Sequence, residues 1–402
     1  MARRKILLFA EGVTLAHVTR LITLGGGLDS SQTEVFFAVD PRYAGFAQAE
    51  PWTVLDVRSI DRQRFLAALA AGRPVYDAAT LRGYVQDDLR LLEAIRPDFV
   101  VGDFRLSLSI SARLAGVPYA TVTNAYWSPY AHQRFPIPRH PLVKLLGLHL
   151  AQRMFDLIRL PAFHLHSRPI NQIRKEHGLP SLGGDLRKVY TDADFVFYAD
   201  IPELAPTYGA PSNHRYLGPV LWSPQMALPG WWHVLPTDVP LIYVTLGSSG
   251  RLGQLAAVLE ALAELDCVVI AATAGRESIS NPPRNAYVTD FFPGAQAVER
   301  AALVICNGGS PASYQALAAG VPVLGIADNM DQLLNMQGVT ASGAGSLVRA
   351  DQFSIPILRA QVSYMLAHSG YANAAQRVAS ILSSYSAPQC FAASVDDFLG
   401  PT

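Results

Sequence analysis

Cysteine is scarce: Cys267, Cys306 and Cys390 are the only three in the chain. They are too few and too scattered for a disulfide framework or a thiolate zinc site. Net charge is missing too, because 32 Lys and Arg balance 32 Asp and Glu. A nucleic-acid binder carries a basic excess or patch, so that class is not expected. No window holds about 18 uninterrupted apolar residues, so no membrane span is expected. The start, "MARRKILLFAEG", is basic, but its apolar run is too short for a signal-peptide core. A reducing, cytoplasmic setting fits these absences, and nothing in them supplies a cofactor or a metal. What is present is apolar material: half the residues are hydrophobic and 16% are charged. That argues for sizeable cores and against disorder, and 402 residues argue for two domains.

Short apolar runs alternate with helical stretches. In the first half the strand candidates are "KILLFA", "EVFFAV", "TVLDV", "FVVGD", "YATVT" and "FVFYA", with helices expected over 78–95 and 106–114. In the second half they are "LIYVTLG", "CVVIAAT", "AYVTDF", "LVICN" and "PVLGIA", with helices over 252–264, 295–301, 312–319 and 330–341. Uniformly apolar strands are buried on both faces, and helical crossovers make them parallel. Each half therefore reads as a doubly wound α/β domain. Residues 219–240, "PVLWSPQMALPGWWHVLPTDVP", lack periodicity and read as a linker. The expected division is 1–218, linker 219–240, and 241–385. Two such domains facing each other would leave a ligand cleft at the carboxyl ends of their strands.

The stretch "LVICNGGSPASYQALAAGVPVLGIADNMDQ", residues 303–332, carries the most chemistry. A strand opens through Gly308 and Gly309 into a helix, with Ser310 as N-cap and Pro311 at the first helical position. Glycine lets a ligand approach the backbone, and the N–H groups of a first helical turn favour an anion. A diphosphate suits this turn. A plain strand-to-helix turn uses the same residues, and these four alone do not choose between the two.

The longer run resembles the donor-binding signature of the UDP-glycosyltransferase family with the GT-B architecture, two facing Rossmann-like domains. Gly308, Gly309, Ala316, Leu317, Gly320, Val321, Pro322, Asp331, Gln332 and Asn335 match that pattern in order and spacing. "DFFPG" and "YVTLGSS" resemble two further family segments, and the likeness covers essentially the whole chain. It implies Phe291 stacked on a nucleobase, and Ser248 with the backbone of Gly308–Ser313 on the diphosphate. It also implies Gln315 on a ribose hydroxyl, and Asp331 and Gln332 on the sugar. The sequence departs from the family at Asn307, Pro311 and Gln315, where the family carries histidine, glycine and glutamate. Asn307 retains a donor for phosphate, and Gln315 accepts from ribose without charge assistance. The segment 386–402 is expected to be a helix packing back toward the first domain.

The resemblance places a catalytic histidine at His17, after the first strand, and its orienting acid at Asp103. An imidazole suits proton abstraction from an acceptor hydroxyl. Glu11, at the same strand end, is the rival base. Asp192 and Asp194 look like a metal-binding Asp-x-Asp pair, but they precede an apolar strand and read as a turn, so no metal is expected. Tyr126, Trp127, Tyr130 and Phe135 form an aromatic, Pro-rich stretch suited to walling an apolar acceptor. The mostly apolar helix after it, with Lys144, Arg153, Arg159 and Arg168, reads as core, as dimer contact or as peripheral membrane contact. The expected activity is metal-independent, inverting transfer of a hexose from a UDP-sugar to a small apolar or lipid-like acceptor. A nucleotide-sugar epimerase and a silent nucleotide-sugar-binding subunit are the alternatives.

Overall fold

The computed structural model describes residues 3–247 and 253–400. The chain divides into two compact units, one of residues 1–134, 154–220 and 385–402, the other of 135–153 and 221–384. Residues 135–153, which the sequence places with the first half, cluster with the second unit.

The first unit holds a seven-stranded sheet: β1 (Arg4–Ala10), β2 (Thr33–Val39), β3 (Thr53–Asp56), β4 (Phe99–Asp103), β5 (Tyr119–Thr123), β6 (Phe195–Tyr198) and β7 (His214–Tyr216). Its order is β3-β2-β1-β4-β5-β6-β7, with every pairing parallel. The chain winds outward in one direction from β1, then returns to begin the other half at β4. The β1/β4 seam is thus the switch point, where ligands of such sheets bind. Residues of β1 and β4 are buried on both faces, as their unbroken apolar runs require.

The chain's last helix, Ala387–Leu399, completes this unit. Phe391 is fully buried against Phe197 of β6, ring centroids 5.6 Å apart. Its burial stabilises by about 2–3 kcal/mol. A side chain at Gly27 would lie 2.5 Å from the Pro388 carbonyl oxygen, so only glycine lets this helix come so near.

The second unit repeats the winding with β8 (Leu241–Thr245), β9 (Val268–Ala272), β10 (Ala286–Thr289), β11 (Ala301–Cys306), β12 (Val323–Ala327) and β13 (Gly345–Arg349). The order is β10-β9-β8-β11-β12-β13, again all parallel, with its switch point between β8 and β11. The stretch read as a linker is not free. Trp231 stacks on Phe292 at 5.7 Å, Trp232 lies 5.3 Å from the same ring, and 221–240 belongs to the second unit. Proline removed its periodicity, but the apolar area of two indoles still seeks cover. No helix among the described residues is long and apolar enough to cross a membrane.

Candidate active site

The helix Leu15–Gly25 follows β1, and His17 sits in its first turn. Ala10 pairs with Asp103 across the switch point, so the end of β4 lies beside the start of that helix. His17 Nδ1 is 2.7 Å from Asp103 Oδ1. Asp103 is fully buried, while the His17 side chain keeps 18% exposure.

Arg20, one helical turn after His17 and on the same face, clamps the same carboxylate. Its Nε donates to Oδ2 and its Nη2 to Oδ1, both at 2.7 Å. Its Nη1 donates to Asn124 Oδ1 at 2.9 Å, and Asn124 Nδ2 donates to the buried Asp200. Burial alone would push the Asp103 carboxyl up. The Arg20 guanidinium and the His17 imidazole outweigh burial and hold it below the usual carboxylate range. An ionised Asp103 is acceptor only, so in a neutral imidazole it favours the proton on Nδ1 and the lone pair on Nε2; Arg20 Nη2 lies 3.1 Å from the same Nδ1. That is the tautomer a general base requires.

The sequence reading did not include Arg20 or Phe104. The "HVTR" spacing of three puts Arg20 on the face of His17 and was the available signal. Phe104 follows β4 with φ +59°, a left-handed conformation that strains a bulky residue. It turns the ring parallel to His17, centroids 5.0 Å apart at 8°. Tyr76 and Tyr190 pack on Phe104 at 6.0 and 5.7 Å.

Glu11, the rival base, is sealed in. It is fully buried, accepts from Tyr84 Oη at 2.9 Å and from Arg105 Nη1 at 3.0 Å. Arg105 Nε donates on to Asp88, which also accepts from Ser107 and Ser111. Burial pushes the Glu11 carboxyl up and Arg105 only partly offsets it. This cluster ties β1, the 78–95 helix and the 108–115 helix together, and it has no open face for a substrate.

In the second unit the turn after β11 lies at the other switch point. Gly308 has φ +80°, and a side chain there would lie 2.9 Å from Met336 Cγ. The helix spans Ser310–Ala318 with Gly309 as N-cap, so Ser310 is its first residue rather than its cap. The serine hydroxyls are not what starts the helix: Ser313 Oγ donates back to the Gly309 carbonyl at 2.9 Å. Asn307 Oδ1 accepts from Gly309 N at 3.1 Å. Asn335, buried, donates from Nδ2 to the Gly308 carbonyl and to Ser313 Oγ, both at 2.8 Å, and so pins the turn from beneath. Burial drives the Cys306 thiol at this strand end up to about 12, which leaves it inert.

The other donor-side residues follow the carboxyl ends of β10, β11 and β12. Phe291 is 39% exposed. Gln315 Nε2 donates to the Trp222 carbonyl at 3.2 Å. Asp331 is exposed in the first turn of the helix Met330–Ala341. Gln332 is instead buried, and its Oε1 accepts from Asn329 N at 3.4 Å while Asn329 Oδ1 accepts from Gln332 N at 3.1 Å, a capping box; the same Oε1 also accepts from Asp328 N at 2.9 Å. Asn329-x-x-Gln332 announces that box in the sequence. Ser248 lies outside the described residues.

Of the acceptor candidates, Tyr126 and Phe135 are interior, 2% exposed each, and Phe135 belongs to the second unit. Tyr130 sets its ring edge on His214 at 5.3 Å. Trp127 is half-buried and meets Tyr190 at 5.2 Å, which links it to Phe104 and His17. Asp192 is held by Arg113 and Arg174, and Asp194 accepts from Tyr119 N. Among the described residues no group of three or more His, Cys, Asp or Glu is placed to hold a metal ion.

Residues 256–397 match the family described as Erythromycin biosynthesis protein CIII-like, C-terminal domain. The chain is 49% identical over 377 residues to a PGL/p-HBAD biosynthesis glycosyltransferase of Mycobacterium tuberculosis (strain ATCC 25177 / H37Ra), covering 94% of this chain and 88% of the relative. It is 50% identical over 377 residues to a PGL/p-HBAD biosynthesis rhamnosyltransferase of Mycobacterium bovis (strain BCG / Pasteur 1173P2), covering 94% and 84%. Spinosyn Rhamnosyltransferase SpnG, solved in complex with thymidine diphosphate, superposes with a TM-score of 0.70 at 19% identity over 99% of this chain and all of that one. The two parallel-sheet domains are those of the GT-B fold.

Proposed function

The chain belongs to the family of PGL/p-HBAD biosynthesis glycosyltransferases and is itself a glycosyltransferase, and from that premise we propose how it acts. It transfers a hexose or deoxyhexose, with inversion, from a nucleoside-diphosphate sugar to a hydroxyl of an apolar, lipid-like acceptor. The observation that carries this reading is the His17–Asp103 contact of 2.7 Å, with Arg20 holding the acid ionised. His17 Nε2 takes the proton of the acceptor hydroxyl as its oxygen attacks the anomeric carbon. The bond from that carbon to the diphosphate oxygen breaks, and the diphosphate leaves with the electron pair. One displacement inverts the centre. The proton ends on an imidazolium that Asp103 stabilises. The leaving diphosphate is met by the N–H groups and dipole of the 310–318 helix.

The aromatic cluster of Phe104, Tyr76, Tyr190 and Trp127 beside His17 supports an apolar acceptor. A silent binding subunit would have no use for a buried clamp that fixes one histidine tautomer. UDP is the nucleotide that the donor loop's likeness implies. Thymidine diphosphate is a second reading, favoured by the rhamnosyltransferase relatives and by the nucleotide bound to SpnG.

The test is thermal unfolding with UDP, thymidine diphosphate and ADP, since a ligand specific to the folded state raises Tm. The Gly309→Val variant is run alongside. The atoms nearest to a side chain at Gly309 are Asn307 Oδ1 at 3.2 Å, Pro311 Cδ at 3.9 Å and Asn307 Cγ at 4.0 Å. The fold should therefore tolerate it while the phosphate site is blocked. The expected result is stabilisation by one of the first two nucleotides, lost in Gly309→Val. Equal stabilisation of the folded variant would refute the placement.

A further inference from the structure

The helix assigned to Pro141–Glu176, unwound only at Gly147 (φ +73°), turns one face inward and leaves an apolar face outward. Inward, Phe163, Ser167, Ile170 and Ile173 recur at helical spacing and are buried. Outward, Met154, Leu157, Ile158, Pro161 and Leu165 recur at i, i+3, i+4, i+7 and i+11, one continuous stripe. Leu157 is 81% exposed, Leu160 61% and Ile158 51%. Single exposed leucines need no explanation, but a contiguous stripe marks an interaction site.

Charge identifies the occupant. The chain is neutral overall, yet residues 153–168 carry Arg153, Arg159 and Arg168 against one acid, Asp156. That acid is already 3.2 Å from Arg134. Among the described residues neither Arg153 nor Arg168 forms an ion pair. Both are exposed at the edge of the stripe. An apolar face rimmed by cations is the pattern of a helix lying in an anionic membrane interface. A second copy of the chain fits worse, because two such stripes face to face would set cation against cation, and the one acid of the segment, Asp156, is already paired with Arg134.

We propose that the outward face of residues 154–168 docks this enzyme onto an anionic phospholipid surface. Leu157, Ile158 and Leu165 enter the interface, and Arg153 and Arg168 meet lipid phosphates. The proposal stands apart from the choice of sugar and base.

The test is co-sedimentation of the full chain with phosphatidylcholine vesicles, with and without phosphatidylglycerol. Binding is expected only with the anionic lipid, and to weaken as salt rises. Arg153→Gln and Arg168→Gln should each lower partitioning about fivefold, the effect of removing one basic residue near such a surface. Leu157→Asp with Ile158→Asp should abolish it while leaving Tm unchanged, since neither side chain is part of the core. Equal binding to neutral vesicles overturns the proposal, and so does no binding to either. Sedimentation equilibrium showing a dimer that the double variant splits would assign the face to a second copy and overturn it as well.

Discussion

Asp103→Asn keeps the shape of the buried acid and removes its charge. In the parent protein this carboxylate accepts three charge-assisted bonds of 2.7 Å, one from His17 and two from Arg20. The substitution leaves the Arg20 guanidinium, whose side chain is 8% exposed, without its counter-charge. Breaking a buried pair from one side costs about 3–5 kcal/mol, much of a domain's total of about 5–15 kcal/mol. The variant should thus be folded but weakened, by an amount that urea titration measures. The asparagine amide can also donate to His17 Nδ1, which drives the ring proton to Nε2 and removes the base. Loss of turnover should be about ten-thousand-fold, the scale of the same exchange in a Ser-His-Asp triad.

A second change separates the two effects. Arg20→Met added to Asp103→Asn removes the stranded charge and should recover much of the stability but none of the turnover. The pH dependence has a definite sign. Asp103 is held below its unfolded value of about 3.9, so its stabilisation is full above that value and is lost as pH falls through the folded one. The stability gap between parent and Asp103→Asn should be constant near neutrality and close below about pH 4. Turnover is read as nucleoside diphosphate released together with the mass of the glycosylated acceptor. A folded Asp103→Asn enzyme turning over at the parent rate would refute the tautomer argument and the base with it.

Asn335→Ala removes both bonds that pin the donor turn. It should cost about 1–3 kcal/mol and weaken nucleotide binding in calorimetry, because the Gly308 carbonyl and Ser313 hydroxyl lose a buried partner. Arg105→Met leaves Glu11 and Asp88 facing each other's charge in the interior, and should unfold the first unit or cost at least about 3–5 kcal/mol by circular dichroism. Glu11→Gln, which keeps the bond from Tyr84 and drops one buried charge, should be far milder and leave turnover within a few-fold, since Glu11 touches no open site.

Strands buried on both faces were legible because their apolar runs are unbroken, as in β1, β4 and β9. The edge strand β7, His-Arg-Tyr, is half-buried throughout and carries no such run. The helix Met330–Ala341 begins and ends where its apolar spacing says, but the capping bonds of Gln332 were not read from its Asn329-x-x-Gln332 spacing. His17 and Asp103 were placed by resemblance. Arg20 and Phe104 were not, because what matters about them is a contact 83 residues away in one case and a backbone angle in the other. Trp231 and Trp232 show the opposite failure: a segment without period can still be core if its side chains are large enough.

The helix Ala387–Leu399 lies on the sheet that β1 began, so the first unit takes this layer from a stretch synthesised after every strand of the second unit. A nascent chain that has reached Leu217 carries all seven strands of that sheet, with the seat of Phe391 and Val395 still bare. The intervening residues take on the order of ten seconds to emerge, long enough for the later unit to fold by itself. Order of synthesis and order of completion are therefore reversed in this protein. A ribosome-bound intermediate would show a finished second unit and an apolar groove on the first, the form in which a chaperone would meet it.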